Sequence, residues 1–106
     1  MPRPRKLRRI TQPPRSAIFK PAGIPLNQLR QIVLLHEELE ALRLADYKGL
    51  SQEQAAESMG VSRSTFQRII SKARRQVALA LSEGHAIKME GGNFEVAHPG
   101  TRGPRK

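Results

Sequence analysis

The chain of 106 residues contains no cysteine and no tryptophan, and only three phenylalanines and one tyrosine supply aromatic side chains. The lack of cysteine excludes disulfides, thiolate nucleophiles and Cys-ligated zinc or iron–sulfur sites. The three histidines are scattered without metal-ligand spacing, and no glycine-rich phosphate loop is present. No nucleophile, base and orienting group come together in the pattern, so we expect no enzymatic activity, no cofactor and no metal.

Long apolar segments are also missing, because the chain has no run of about 18 apolar residues. Its basic beginning leads into Pro13 and Pro14 rather than into an apolar segment with a cleavage site. We therefore expect a cytoplasmic protein without a membrane partner. The length fits one domain, and 38% hydrophobic residues allow a modest core but no deep substrate cleft.

Acidic residues are few, with nine Asp and Glu against 19 Lys and Arg, which gives a net charge of +10. Residues 1–20 hold seven cations, no acid and four of the eight prolines, so we expect a flexible basic arm there. Residues 97–106 are expected to form a shorter flexible basic tail. We interpret the arm as a contact to nucleic acid, and a merely solubilising tail is the alternative. The arm residues assigned to this contact are Arg3, Arg5, Lys6, Arg8 and Arg9.

Between these tails, a domain over residues 21–96 is expected to contain a core of three helices over residues 37–82. The first helix, over 37–47, begins with acids that suit the positive end of the helix dipole, and it ends at Gly49. The second helix, over 52–59, follows Ser51, whose spacing to Gln54 is that of a capping box. It stops at Gly60, and Ser62 caps a third helix over 63–81.

The third helix carries an apolar stripe on one side and cations on the other. The stripe comprises Phe66, Ile70, Ala73, Val77 and Ala80, supported by Ile69 and Leu81. The other faces carry Arg63, Gln67, Arg68, Lys72, Arg74 and Arg75. Two helices joined by about three residues including a glycine, the second one positive, form the helix-turn-helix pattern. We expect Met59, Val61, Phe66 and Ile70 to clasp these two helices together.

Residues 37–81 resemble region 4 of sigma-70-type transcription factors. The resemblance is carried by EALRL at 40–44, GLSQEQAA at 49–56, MGVSRST at 59–65 and ARR at 73–75. Nearly the whole chain is similar to the uncharacterised protein family 0251, or domain of unknown function 134, through PRPRK at 2–6, FKPAGIP at 19–25 and EGHAIKMEGG at 83–92. The resemblance to region 4 implies a helix-turn-helix fold and DNA binding.

Docking of such a motif places the second helix of the pair in the major groove. This nominates Arg63, Ser64, Gln67 and Arg68 for base edges, where each bidentate contact discriminates by about 1–3 kcal/mol. Phosphate contacts are assigned to Ser51, Gln52, Ser62, Thr65, Lys72 and Arg75. The alternatives are that the serines only cap their helices and that the helix face is an ordinary solvated surface. Six neutralised phosphates predict a slope of log K against log salt of about −5.

Short strand-like segments lie at 32–35, 86–89 and 93–96. The last two flank Gly91 and Gly92, so we predict that they pair as a hairpin. Packing against the helical core is the simplest role for these segments. The alternative is dimerisation through a strand edge or through the third helix.

The sequence thus predicts a mostly α fold: a small helical helix-turn-helix domain with short strands or a hairpin outside it and flexible basic tails. The predicted function is sequence-specific duplex DNA binding by a transcriptional regulator associated with the nucleoid. Two alternatives stay open, an RNA-binding protein and a protein-interaction adaptor that contacts the transcription machinery. A second copy of the chain and RNA polymerase also stay open as partners.

Overall fold

The computed structural model describes residues 7–11, 17–92 and 94–96. The helices are α1 (His36–Leu42), α2 (Gln52–Met59) and α3 (Arg63–Glu83), with a short 3-10 helix at Leu26–Gln28 and a π-helical turn at Arg43–Tyr47. The strands are β1 (Arg8–Ile10), β2 (Ala17–Phe19), β3 (Gln31–Leu34), β4 (Ala86–Met89) and β5 (Phe94–Val96). The predicted class, mostly helical with short strands, is confirmed.

The predicted bounds of the second helix and the predicted start of the third are confirmed by their caps. Ser51 Oγ accepts a hydrogen bond from Gln54 N at 3.1 Å, and Gln54 Oε1 accepts one from Ser51 N at 3.0 Å, which completes the capping box. Gly60 ends α2 in the left-handed region at φ 69°. Ser62 caps α3, which continues two residues beyond the predicted end before Gly84 stops it.

The first predicted helix divides into two parts. Regular α-helix ends at Leu42, and a wider π-helical turn follows, in which Lys48 N donates to Arg43 O at 2.8 Å. Leu50 N then donates to the carbonyl of buried Leu44 at 3.0 Å. The turn therefore ends in a hydrogen-bonded connection that leads directly into α2.

The main core lies where the three helices meet. Its buried members are Ala41, Leu44, Ala55, Ala56, Met59, Phe66, Ile69 and Ile70. The short side chains of the two adjacent alanines allow α2 to approach α3 closely, and the predicted clasp is confirmed, with Val61 partly buried at its edge.

Leu81 was expected to support the apolar stripe, but it is 75% exposed. That expectation is wrong because Leu81 lies about 100° around the helix from buried Ala80.

A three-stranded sheet in the order β2-β4-β3 packs on the second half of α3. Strand β4 pairs antiparallel with β2 and parallel with β3, and Leu34 and Met89 bury their side chains against Ala73. The predicted hairpin between 86–89 and 93–96 is wrong. Because β2 and β3 occupy both edges of β4, no edge is left for β5, which pairs parallel with β1 instead.

The expected flexible arm over residues 1–20 is wrong for two segments, since Arg8–Ile10 and Ala17–Phe19 are strands. Both segments find their pairing partners near the other end of the chain, and Ile10 is buried. Arg3, Arg5, Lys6 and the expected tail at 97–106 lie outside the described residues. Across the described ranges, none of the helices has the length and apolar character needed to cross a membrane.

Candidate nucleic-acid interface

The four side chains predicted to contact bases share the exposed face of the first half of α3. Arg63, Ser64, Gln67 and Arg68 are all exposed, whereas Phe66 on the opposite face is fully buried. The helical period explains this division, because positions i, i+1, i+4 and i+5 lie on one side. The structure therefore brings the predicted set together on one surface next to the turn.

The side-chain contacts of these four residues leave the charges of the two arginines without an ion-pair partner among the described residues. Arg68 Nη2 donates to the neutral hydroxyl of Thr65 at 3.3 Å, and Gln67 Nε2 donates to Ser71 Oγ at 3.1 Å. The side chain of Arg63 has no hydrogen-bond or ion-pair partner within the part of the chain that the structure describes. Both guanidinium groups are thus exposed to solvent, and no carboxylate of the described residues forms an ion pair with either.

The residues predicted to contact phosphates differ in their availability. Ser51 and Ser62 have exposed side chains and act as helix caps, so their capping role is confirmed and the phosphate contact stays a prediction. Gln52 and Thr65 are partly buried. Arg75 is exposed and has no ion-pair partner among the described residues, whereas Lys72 Nζ lies 3.5 Å from Glu38 Oε2.

The acidic beginning of α1 is buried, which its sequence does not indicate. Glu37, Glu38 and Glu40 are each less than 5% exposed. Glu38 Oε1 accepts a hydrogen bond from Leu35 N at 2.9 Å and so caps the helix, and Glu40 makes an ion pair of 2.9 Å with Arg43. The hydrogen bond to Glu40 raises the pKa of Arg43 above its ordinary value. The negative charges of α1 are therefore neutralised within the domain.

Two of the arm residues, Arg8 and Arg9, belong to the folded domain, which corrects the expectation that they are flexible, while their contact to nucleic acid stays a prediction. Arg8 is 7% exposed, and its Nε lies 3.7 Å from Glu37 Oε2. Arg9 Nη2 donates to Glu57 O near the end of α2 at 3.1 Å. Strand β1, which pairs with β5, thus places Arg8 against α1 and Arg9 against α2.

The π-helical turn is fastened to α3 by an ion pair that the sequence analysis missed. Arg74 donates twice to Asp46, from Nη2 to Oδ1 at 2.8 Å and from Nε to Oδ2 at 3.1 Å. The hydrogen bonds from Arg74 lower the pKa of Asp46. No local spacing signals this contact, because the two residues lie 28 positions apart. Arg74 is thus engaged within the protein while its neighbour Arg75 is open to solvent.

Comparison with known proteins gives a family and close relatives. The family described as "Protein of unknown function DUF134" matches residues 1–97. The chain is 58% identical over 95 residues to the UPF0251 protein of Desulforudis audaxviator and 51% identical over 105 residues to that of Thermoanaerobacter pseudethanolicus. These alignments cover 90% and 99% of this chain, and the chain spans 62% and 89% of the two relatives. No solved structure matches the chain significantly.

Proposed function

We propose that this chain, which belongs to the family of unknown function DUF134, binds duplex DNA in a sequence-specific manner and regulates transcription. The observation that carries the proposal is the pair α2 and α3, joined at the left-handed Gly60, with four exposed polar side chains on the first turns of α3. A major groove of about 12 Å admits an α-helix, and its base edges present donors and acceptors that such side chains match.

Each of the exposed side chains has a definite role in this reading. Arg63 and Arg68 present two-donor forks that suit the O6 and N7 atoms of guanine, and Gln67 pairs in both directions with adenine. The short hydroxyl side chain of Ser64 makes the weakest contribution. The intrahelical contacts of Gln67 and Arg68 are hydrogen bonds to neutral hydroxyls, which a base edge can replace.

The charge distribution around α3 supports a polyanionic partner. Helix α3 contains five cations and a single acid, Glu83, which is its last residue. The nearby carboxylates of α1 are buried, and Asp46 is paired with Arg74. The exposed face of α3 therefore attracts phosphate along its length, although Lys72 has first to leave Glu38.

The transcriptional part of the proposal is supported by the likeness of residues 37–81 to region 4 of sigma-70-type factors. The segments that carry this likeness fall at the end of α1, on α2 and its connection to α3, and in the middle of α3. They therefore coincide with the elements that form the clasp and the exposed face. Regulation of transcription follows if the protein binds at specific sites near promoters.

Equilibrium binding of the whole chain to labelled nucleic acids tests the proposal. Random-sequence duplex DNA, single-stranded RNA and duplex RNA are titrated at several salt concentrations, with anisotropy as the readout. We expect binding that favours duplex DNA and a steep loss of affinity with salt. Equal or tighter binding to RNA would replace the proposal by the RNA-binding alternative, and the lack of any polyanion binding would favour a protein-interaction adaptor.

A further inference from the structure

The end of the π-helical turn presents an aromatic ring and a cation side by side to solvent. Tyr47 is 79% exposed, more than any other large hydrophobic or aromatic side chain in residues 7–11 and 17–92. The ammonium group of Lys48 lies 5.6 Å from the centroid of its ring. Exposure of this degree in a chain with one tyrosine makes the pair a candidate contact surface.

The backbone that carries this pair is held firmly against the rest of the domain. Asp46, directly before Tyr47, makes the two hydrogen bonds to Arg74 of α3. Lys48 N donates to Arg43 O, and Leu50 N donates to Leu44 O in the core. The Tyr47–Lys48 pair therefore has a fixed position relative to the helix proposed to read bases.

The pair also lies immediately before the beginning of α2. Only Gly49, at φ 76°, and Leu50 separate Lys48 from the capping residue Ser51. In helix-turn-helix docking, the first helix of the pair crosses the sugar–phosphate backbone while the second enters the groove. A group placed beside the start of α2 is therefore near the backbone when α3 lies in the major groove.

We propose that Tyr47 and Lys48 bind a phosphate group of the duplex backbone beside the site read by α3. The inference rests on the proposed DNA binding and adds a contact from outside the helix-turn-helix itself. The phenol hydroxyl donates a hydrogen bond to a phosphate oxygen, and the ammonium group neutralises the charge, as these side chains do in protein–DNA contacts. Asp46 does not oppose this, because Arg74 pairs with its carboxylate.

The surroundings of Tyr47 favour a phosphate over an apolar protein partner. Its sequence neighbours from Asp46 to Ser51 include two charged residues, a glycine and a serine, and Leu50 is turned partly into the core. A protein-docking site would require further exposed apolar side chains around the ring. The neighbouring groups instead supply positive charge and hydrogen-bond donors.

Three single variants test the inference, with random-sequence duplex DNA as the probe. Lys48→Ala removes the charge and Tyr47→Phe removes only the hydroxyl. Arg30→Ala is the matched control, because Arg30 is exposed before β3 and has no ion-pair partner among the described residues. All three positions are on the surface, so the variants are expected to fold.

We expect Lys48→Ala to reduce the magnitude of the salt slope by about 0.9, because one phosphate contact is lost. Its affinity deficit relative to the unsubstituted chain should then shrink by roughly 3.5-fold between about 50 and 200 mM salt. Tyr47→Phe should weaken binding by roughly 10- to 100-fold with an unchanged slope, because one hydrogen bond to a charged phosphate oxygen is lost. Arg30→Ala should leave the slope unchanged.

The outcomes separate this inference from the proposed function. If the unsubstituted chain binds duplex DNA and Lys48→Ala behaves like Arg30→Ala, the contact at the π-helical turn is wrong and the proposed function stands. If Lys48→Ala and Tyr47→Phe bind duplex DNA normally but lose binding to RNA polymerase, the Tyr47–Lys48 pair contacts a protein instead of a phosphate. If the unsubstituted chain does not bind duplex DNA, both proposals fail together.

Discussion

The guanidinium group of Arg9 lies against Gly60, with Arg9 Nε 3.2 Å from the position that a Cβ atom at residue 60 would take. The same guanidinium donates from Nη2 to Glu57 O, 48 residues further along the chain. The Arg9 side chain of strand β1 thus lies against the connection between α2 and α3. A segment whose sequence has the composition of a basic tail therefore packs against the helix-turn-helix.

This contact predicts the effect of a side chain at the turn. Gly60→Ala is expected to lower the free energy of unfolding by about 1–2 kcal/mol, because φ at this position is left-handed. Contact with Arg9 adds to that cost, so the substitution should be less harmful in an Arg9→Ala background. Urea unfolding of the four proteins of this cycle measures the difference. Equal costs in both backgrounds would show that Arg9 does not rest on the turn.

The clasp between α2 and α3 predicts a large effect at Phe66. Its ring is fully buried in the core cluster, so Phe66→Ala should cost about 3–5 kcal/mol of unfolding free energy. Leu81→Ala is the matched control, because it also shortens an apolar side chain of α3 but at an exposed position. Chemical denaturation measures both. A small loss at Phe66, similar to that at Leu81, would contradict the packing described for the clasp.

The pair of Asp46 and Arg74 predicts a pH dependence of stability. Because the folded protein lowers the pKa of Asp46 from 3.8, the pair stabilises the fold above that value and ceases to do so as the pH falls through the lower folded pKa. Both side chains are about half exposed, so Asp46→Asn should cost only about 0.2–1 kcal/mol near neutral pH. The difference between the two proteins should shrink at acidic pH, and a difference that grows there would contradict the assignment.

Ser51 allows capping and phosphate binding to be separated. Ser51→Ala should lower the free energy of unfolding by about 1 kcal/mol, because Gln54 N loses its acceptor. Ser51→Asp keeps a capping oxygen, so its stability should stay close to that of the unsubstituted chain. Its negative charge would repel phosphate, so we expect weaker binding to duplex DNA in anisotropy titrations. Unchanged DNA binding by Ser51→Asp would reduce Ser51 to a cap.

The helical centre of the fold was predictable because its signals are local. A capping serine and the residue three positions later satisfy each other, and Gly60 adopts a conformation that other residues avoid. The exposed set on α3 was predictable for the same reason, since the helical period separates polar from buried positions. The widening of the first helix at Arg43–Tyr47 carries no such local signal.

The strand pairings were not predictable because they join distant segments. Arg8 pairs with Phe94, and β4 takes partners from both β2 and β3, so the glycines after β4 do not close a hairpin. The buried carboxylates were missed for a related reason. The local sequence at Glu37 and Glu38 predicts a solvated helix start. Their cationic partners, Arg8 and Lys72, are brought close only by the fold.

A control for substitutions on the exposed face of α3 must remove the same charge from another surface. The control triple variant combines Arg30→Ala, Gln28→Ala and Lys88→Ala, which removes two cations and one amide away from the exposed face of α3. Gln28 and Arg30 lie before β3, and Lys88 lies on β4, where it pairs with Glu90. The control variant loses the same charge as the variant of the exposed face of α3, so an effect of positive charge alone would weaken DNA binding equally in both.

The most direct test of the central claim is selection of binding sites from random duplex DNA at about 150 mM salt. The unsubstituted chain, the control variant and Arg63→Ala/Gln67→Ala/Arg68→Ala are run in parallel. The account predicts that the first two enrich the same motif, while the α3 variant enriches none and keeps only weak, salt-sensitive binding. Enrichment of the same motif by all three proteins, or of no motif by any of them, would contradict base reading by α3.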